Sequence, residues 1–236
     1  MAQSSLQRVV AALKKRYGKP KPPPTGRDPL ALMLWEMVAY LTDDETRAHA
    51  FSLLRDRVGL APSAVRSARL LVLSAICREG GPVQPDHRAR RMQEVAAIAQ
   101  DEFDGNVAQV LTWDYSKAVK ALQRFPSVAE AGADRILMLC GSHAVLGMES
   151  NALRVLCRLG YAKEDMKRYT KMYRAARDAA MTELPKSAPT LAEASLLLRE
   201  HGKETCKTSA PHCCECPVTA ACAWYRAHAP KATRQL

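Results

Sequence analysis

The 236-residue sequence has few aromatic side chains, at 6% of its residues, and no apolar run near the roughly 20 residues of a membrane span. Its 47% hydrophobic and 25% charged residues are ordinary globular usage, which argues against a fibre or a disordered chain. Lys and Arg follow the first short apolar stretch, whereas a secretory signal would place them before it. We therefore expect a soluble, cytoplasmic protein that does not span a membrane.

Acidic residues are absent from residues 1–27, where seven Lys and Arg supply +7 of the formal net charge of +11. A second basic stripe recurs at helical spacing over Lys163, Lys167, Arg168, Lys171, Arg174 and Arg177. A basic surplus attracts polyanions through counterion release, so nucleic acid or an anionic membrane surface is the favoured partner class. A solvated surface is the plainer interpretation of both features.

Apolar residues recur at intervals of three and four along most of the chain, and no segment has the pattern of a strand. The spacing predicts helices over residues 4–16, 29–41, 43–59, 61–81, 88–105, 115–125, 131–141, 150–160, 163–181 and 190–202. Prolines in residues 17–29 predict an extended connector after the basic N-terminal helix. The fold class predicted from these patterns is all-α.

Four cysteines near the C-terminus form the pattern C-x6-C-x2-C-x5-C, at Cys206, Cys213, Cys216 and Cys222. Four thiolates this close in sequence suit either a tetrahedral zinc ion or an iron–sulfur cube. The spacing alone does not separate the two. Cys214 lies outside the pattern and is expected to be a small buried apolar residue instead of a ligand.

This spacing resembles the [4Fe–4S] loop of the endonuclease III family of helix-hairpin-helix DNA glycosylases. Residues 125–133, FPSVAEAGA, resemble the family hairpin LPGVGRKTA, and residues 148–155, MESNALRV, resemble its VDTNxxRV segment, which carries an essential Asp. Residues 40–43, YLTD, resemble its QATD segment. The resemblance implies a six-helix barrel over 29–144 that carries the hairpin, and an iron–sulfur cluster domain made of 1–28 and 145–236.

The sequence departs from the family pattern at four functional positions. Ser127 and Ala129 replace the two hairpin glycines, which implies weaker binding of phosphate by backbone N–H groups. Ala131 replaces the Lys that attacks the sugar, so little strand-cleaving lyase activity is expected. Glu149 replaces the essential Asp, and its extra methylene moves the carboxylate by about 1.5 Å.

The resemblance implies an intracellular, nucleoid-associated monomer of base excision repair with no membrane partner. It would bind duplex DNA, flip a damaged or mismatched base and hydrolyse the N-glycosidic bond of that base. Glu149 would stabilise the oxocarbenium-like sugar, although a simple helix cap is an equally open role. The residues implied to contact DNA are Ser127, Ala129, Ala131, Asn151, Arg154, Tyr40 and Lys207. Tyr40 also suits a core stripe, and Asn151 and Arg154 also suit structural hydrogen bonds.

Two other functions stay open from the sequence. The chain could be a non-catalytic relative that recognises DNA damage or structure. It could also be a bifunctional glycosylase and lyase that uses a displaced lysine, such as Lys117 or Lys120.

Overall fold

The computed structural model describes residues 5–228 and contains no strand within them, which confirms the predicted all-α class. The chain forms two compact units. We call Pro23–Ala129 the inner unit, and Met1–Pro22 with Glu130–Leu236 the terminal unit. Within residues 5–228, no helix combines the length and the apolar character needed to cross a membrane.

The helices of the inner unit are α2 (Pro29–Val38), α3 (Asp44–Arg57), α4 (Pro62–Ser67), α5 (Leu70–Glu79), α6 (Pro85–Phe103) and α7 (Tyr115–Leu122). Those of the terminal unit are α1 (Ser5–Tyr17), α8 (Glu130–Leu139), α9 (Ser150–Leu159), α10 (Tyr169–Met181), α11 (Ala188–Glu204) and α12 (Ala223–His228). Most begin and end within a few residues of the predicted helices, because apolar periodicity marks the buried faces.

The core of the inner unit forms around α6, which packs on α2, α4 and α5. Two aromatic contacts fill it. The rings of Trp35 and Phe51 meet edge to face at 5.4 Å, and those of Phe103 and Phe125 stack at 5.2 Å. Such pairs add to the free energy of burial, so these four aromatic residues help to stabilise the inner unit.

A buried arginine joins two loops of the inner unit. The Arg88 guanidinium donates hydrogen bonds to the carbonyl oxygens of Val38 at 2.6 Å, Cys77 at 2.7 Å and Val83 at 2.9 Å, and to that of Gly81. Because each buried carbonyl that lost its donor would cost free energy, this side chain fixes the loop after α2 against the loop before α6. The exposed residues after Val38 therefore extend from a rigid base.

Two of the predicted helices are wrong in their extent. Residues 61–81 form two helices, because Ala68 and Arg69 are extended and the Gln93 side chain donates to the Ala68 carbonyl oxygen at 2.9 Å. Residues 163–181 form a 3-10 turn, Met166–Arg168, before α10. The short helix α12 was not predicted.

The terminal unit is built on the pair α9 and α11, with α1 packed on α11. The two helices of the pair approach so closely that a Cβ on Gly202 would lie 2.7 Å from the carbonyl oxygen of Asn151. Glycine is therefore required at this crossing.

Helix α8 belongs to the terminal unit, whereas the sequence-based division placed it in the barrel domain that ends at residue 144. The buried Asp134 of α8 accepts hydrogen bonds from Tyr173 at 2.7 Å and from Arg177 at 2.8 Å, both on α10. A fully buried carboxylate requires such partners, and these hold α8 against α10. The sequence contained no local signal for this pairing.

Candidate functional site

The side chain of Glu149 lies at the N-terminus of α9. Its backbone is extended, and one carboxylate oxygen, Oε1, accepts a hydrogen bond from the Ala152 N–H at 2.8 Å. The other, Oε2, accepts one from the Asn151 side chain at 2.8 Å. A carboxylate at this end of a helix interacts favourably with the helix dipole, so the position suits an ionised acid.

The segment that leads to Glu149 is held by buried contacts. Ser195 donates to the Gly147 carbonyl oxygen at 2.6 Å, and the Tyr173 hydroxyl lies 3.3 Å from the Leu146 carbonyl oxygen. A Cβ on Gly147 would come within 2.3 Å of the Arg135 backbone, so only glycine fits between this segment and α8. The carboxylate therefore stands on a fixed backbone.

A chain of hydrogen bonds connects Glu149 to the cysteine loop, residues 206–222. Arg154 donates to the Asn151 side-chain oxygen at 2.8 Å and to the Gly202 carbonyl oxygen at 2.8 Å. Its Nε also donates to the Cys206 carbonyl oxygen at 3.0 Å. Since Asn151 in turn donates to Glu149, the orientation of the carboxylate depends on where the cysteine loop holds Arg154.

Tyr169, at the start of α10, is a neighbour of Glu149 that the sequence did not suggest. Burial raises the pKa of its phenol, and the negative charges of Glu149 and Cys157 raise it further. The phenol therefore stays protonated near neutral pH. Only the three-dimensional packing of α10 on α9 reveals this proximity.

The cysteine loop surrounds a cavity that is lined by all four cysteines of the motif together with Arg158, His201 and Trp224. Burial raises the pKa of the Cys213 thiol and raises that of Cys216 to about 11, and the neighbouring thiols raise both further. Thiols in such a place ionise only when a cation compensates them. These four cysteines are the residues that could hold a metal ion or a cluster, whereas Cys214 is exposed and does not line the cavity, so the expectation that it is buried is wrong.

His201 connects this loop to the N-terminal helix. Its Nδ1 lies 2.9 Å from the Tyr17 hydroxyl, and its Nε2 lies 3.5 Å from the Cys216 sulfur. Burial lowers the pKa of His201 to about 4, so the ring is neutral at neutral pH. The Tyr17 hydroxyl also lies 2.8 Å from the Thr205 hydroxyl, which fixes α1 on the end of α11.

The residues around the cavity fit an anionic group larger than one ion. In the part of the chain that the structure describes, no three His, Cys, Asp or Glu side chains converge closely enough to hold a single metal ion. Arg158 Nη1 lies 3.3 Å from the Cys206 sulfur, and Arg158 Nε is buried without a partner. A group bound by four surrounding thiolates would accept that unused N–H.

No family model matches the sequence. The chain is 25% identical to the endonuclease III of Sulfolobus acidocaldarius over 200 residues, which cover 84% of this chain and 83% of that protein. It is 24% identical to the endonuclease III of Thermotoga maritima over 199 residues, which cover 84% of each. A solved complex described as a trapped endonuclease III–DNA covalent intermediate superposes with a TM-score of 0.72, 18% identity, and coverage of 96% of this chain and 99% of that one.

A thermostable thymine-DNA glycosylase superposes with a TM-score of 0.70 and 16% identity, over 94% of this chain and 97% of that one. The sequence matches and the structural matches both cover most of the chain. The chain is similar in sequence to endonuclease III proteins and has the fold of endonuclease III-like DNA glycosylases.

In this endonuclease III-like chain the hairpin lies between α7 and α8. Ser127, at the first glycine position, adopts a left-handed φ of 69°, while Ala129, at the second, is not among the residues with positive φ. The left-handed turn of the motif is thus retained without its glycine, at a cost of about 1–2 kcal/mol for a residue that has a Cβ. Ala131 lies in the first turn of α8 and is partly exposed.

The other residues implied to contact DNA differ in their surroundings. Tyr40 is 52% exposed, so it is outside the core of the inner unit. Lys207 is exposed on the cysteine loop. Asn151 and Arg154 are half-buried, and their side chains are engaged in the hydrogen-bond chain described above. The role of all four in DNA binding stays a prediction.

The basic stripe of residues 163–177 divides into two groups. Arg174 and Arg177 pair with Glu130 at 2.6 and 3.0 Å, so they serve the packing of α10 on α8. Lys163, Lys167 and Lys171 are exposed and form no ion pair in the described part of the chain. The sixth residue of the stripe, Arg168, pairs with Asp165 at 2.7 Å, so these three lysines are the cations of the stripe without an ion pair within residues 5–228.

Replacing Ser127 with glycine should stabilise the protein. Glycine adopts the left-handed backbone without a Cβ clash, and after its larger entropy loss the gain should be about 0.5–1 kcal/mol. Ala129→Gly, two residues away at a position of negative φ, is the control and should lose about 0.5–1 kcal/mol. Thermal unfolding followed by circular dichroism measures both, and equal effects of the two glycines would contradict the strained turn.

Proposed function

We propose that the chain is a DNA glycosylase that hydrolyses the N-glycosidic bond of a damaged or mismatched base in duplex DNA, with Glu149 as the catalytic carboxylate. The observation that carries the proposal is the fixed carboxylate at the N-terminus of α9, at the sequence position where the family has its essential acid. The names of the curated relatives and the DNA complexes among the structural neighbours support the same activity.

The chemistry follows from the charge of Glu149. When a flipped base begins to leave, positive charge develops on the sugar ring, and an ionised carboxylate that faces it lowers the energy of that transition state. The hydrogen bonds from Ala152 and Asn151 orient the carboxylate before the substrate binds, so little reorganisation is needed during the reaction. The same carboxylate can orient the attacking water.

The reaction would stop at base removal. Ala131 has a methyl group where the family has an amine, and a methyl group cannot attack the sugar to form a Schiff base. Of the two displaced lysines considered, the Lys117 ammonium lies 4.3 Å from the centre of the Trp113 ring and is engaged in a cation–π contact. We therefore propose a monofunctional enzyme that leaves an intact abasic strand.

A second candidate is a DNA-binding relative without catalysis. Both oxygens of Glu149 already accept hydrogen bonds from within α9, which is the arrangement of an ordinary helix cap. In that case the carboxylate would stabilise the helix and have no part in base removal. Measuring a variant that keeps the cap and removes the charge distinguishes the two candidates.

We propose that Cys206, Cys213, Cys216 and Cys222 hold a [4Fe–4S] cluster. A cube is bound at four corners and needs cysteines that surround a space, as these do, whereas a zinc ion needs sulfurs that converge on one point. When bound, the cluster would crosslink the loop and take no part in hydrolysis. Arg158 and His201 would then be the polar side chains nearest to it.

The partner is duplex DNA that contains a damaged base, and we propose that the protein acts as a monomer inside the cell, in association with the nucleoid. The exposed lysines of the terminal unit and two exposed cations of α1, Arg8 and Lys15, which form no ion pair within residues 5–228, supply the positive surface that binding to phosphates requires.

Glu149→Gln should lower the single-turnover rate of base release by about 10²-fold, because the amide keeps the size and, through its one oxygen, the cap hydrogen bond from Ala152, but removes the charge that faces the cation. Its affinity for damaged duplex should stay near that of the wild type. Glu204→Gln, an exposed acid at the end of α11, is the matched control and should leave the rate unchanged. A Glu149→Gln rate equal to that of the wild type would support the non-catalytic role instead.

Replacing Lys163, Lys167 and Lys171 with alanine should reduce the slope of log Kd against log salt concentration by up to about 3, since each lost phosphate contact removes about 0.9. A control with equal loss of charge replaces Arg57, Arg69 and Arg90, three exposed arginines of the inner unit. Fluorescence anisotropy with a labelled duplex measures both slopes. If the two triple variants change the slope equally, the lysines contribute only net charge and the proposed DNA surface is wrong.

A further inference from the structure

Arg158 is a buried cation that lacks a carboxylate partner. Its side chain projects from α9 beneath the cysteine loop, and the residue is only 6% exposed. No acidic group within residues 5–228 lies within ion-pair distance of it. A buried charge that is not paired costs several kcal/mol, so its presence here requires compensation from another source.

The hydrogen bonds of Arg158 all go to the cysteine loop. Nη1 donates to the Lys207 carbonyl oxygen at 2.7 Å, and Nη2 donates to the Thr208 carbonyl oxygen at 2.9 Å. Nη1 also lies 3.4 Å from the carbonyl oxygen and 3.3 Å from the sulfur of Cys206. These acceptors satisfy N–H groups, but neutral carbonyls do not balance the positive charge.

One donor of the guanidinium has no acceptor. Arg158 Nε is the single buried side-chain nitrogen or oxygen atom without a hydrogen bond in the described part of the chain. The Trp224 ring lies 5.0 Å from the guanidinium carbon and shields it from water. An unmet N–H in such a place marks a missing acceptor, and Arg158 lines the same cavity as the four cysteines.

We propose that Arg158 is the counter-cation of the four-cysteine centre, and that its Nε donates a hydrogen bond to a sulfur of the loaded site. Four thiolates outweigh the positive charge of either a zinc ion or an iron–sulfur core, so the loaded site is anionic. One group in the cavity thus supplies both the missing charge and the missing acceptor. This inference rests on the proposed metal or cluster site and is independent of the role of Glu149.

The electrochemical consequence follows from the charge. Reduction of an iron–sulfur cluster adds negative charge, which a nearby cation and an N–H donor stabilise, so Arg158 raises the midpoint potential. Loss of the cation should lower the potential and weaken retention of the cluster. Both effects can be measured without any substrate.

The test compares Arg158→Gln with Arg158→Lys in the full-length protein purified anaerobically. Both side chains keep polar donors beneath the loop, but only lysine keeps the charge. Iron and acid-labile sulfide should be near cluster stoichiometry in the wild type, and Arg158→Gln should show a lower midpoint potential in voltammetry than Arg158→Lys. Arg226→Met, an exposed arginine beside the same loop that donates to the Ala220 carbonyl oxygen, is the control and should match the wild type.

Equal potentials for Arg158→Gln and Arg158→Lys at full iron content would overturn the proposal. Zinc in the wild-type protein in place of iron and sulfide would refute the cluster. The role of Arg158 as counter-cation would then be tested by measuring how fast a chelator removes the zinc. In that case Arg158→Gln must lose zinc faster than Arg158→Lys, and equal rates of loss would overturn the proposal.

Discussion

The hydrogen bond from Arg154 Nε to the carbonyl oxygen of Cys206 joins the two functional parts of the terminal unit. Arg154 lies one turn into α9, the helix that begins after Glu149, and the next turn of that helix presents Arg158 to the cysteine loop. A displaced loop would release Arg154, then Asn151, and then the second hydrogen bond to the Glu149 carboxylate. The cysteine loop is therefore part of the support of the candidate active site.

This dependence gives a physical reason for the proposed cluster, which would take no part in the reaction. Residues 206–222 form only short 3-10 turns, and the side chains of Arg154 and Arg158 donate hydrogen bonds to their backbone carbonyl oxygens. A loop without regular structure loses much conformational entropy when it is ordered, and a crosslink through four cysteines would lower that cost. Precise positioning of a carboxylate benefits from such a rigid support.

Much of the helical framework could be predicted from the sequence, because apolar periodicity and terminating glycines are local signals. The break at Ala68 could not be predicted, because a side chain distant in sequence stabilises it. The turn before Tyr169 could not be predicted either, because the local acceptor that stabilises it has no distinctive sequence pattern. The motif identified Glu149 and the four cysteines. It did not reveal Tyr169 or the unmet N–H of Arg158, because burial is a property of the folded chain. The left-handed backbone of Ser127 is hidden in sequence for a related reason, since the glycine that would have signalled it is absent.

The central claim is that base removal here uses water and a carboxylate, with no amine at the hairpin. The most direct measurement incubates the wild-type protein with duplexes that carry oxidised, deaminated, alkylated or mismatched bases, and analyses the strand before and after alkali. Borohydride is added in parallel to trap any sugar adduct. The account predicts release of at least one of these bases, a strand that breaks only after alkali, and little trapped protein–DNA complex. Strand cleavage without alkali, together with efficient borohydride trapping, would contradict it.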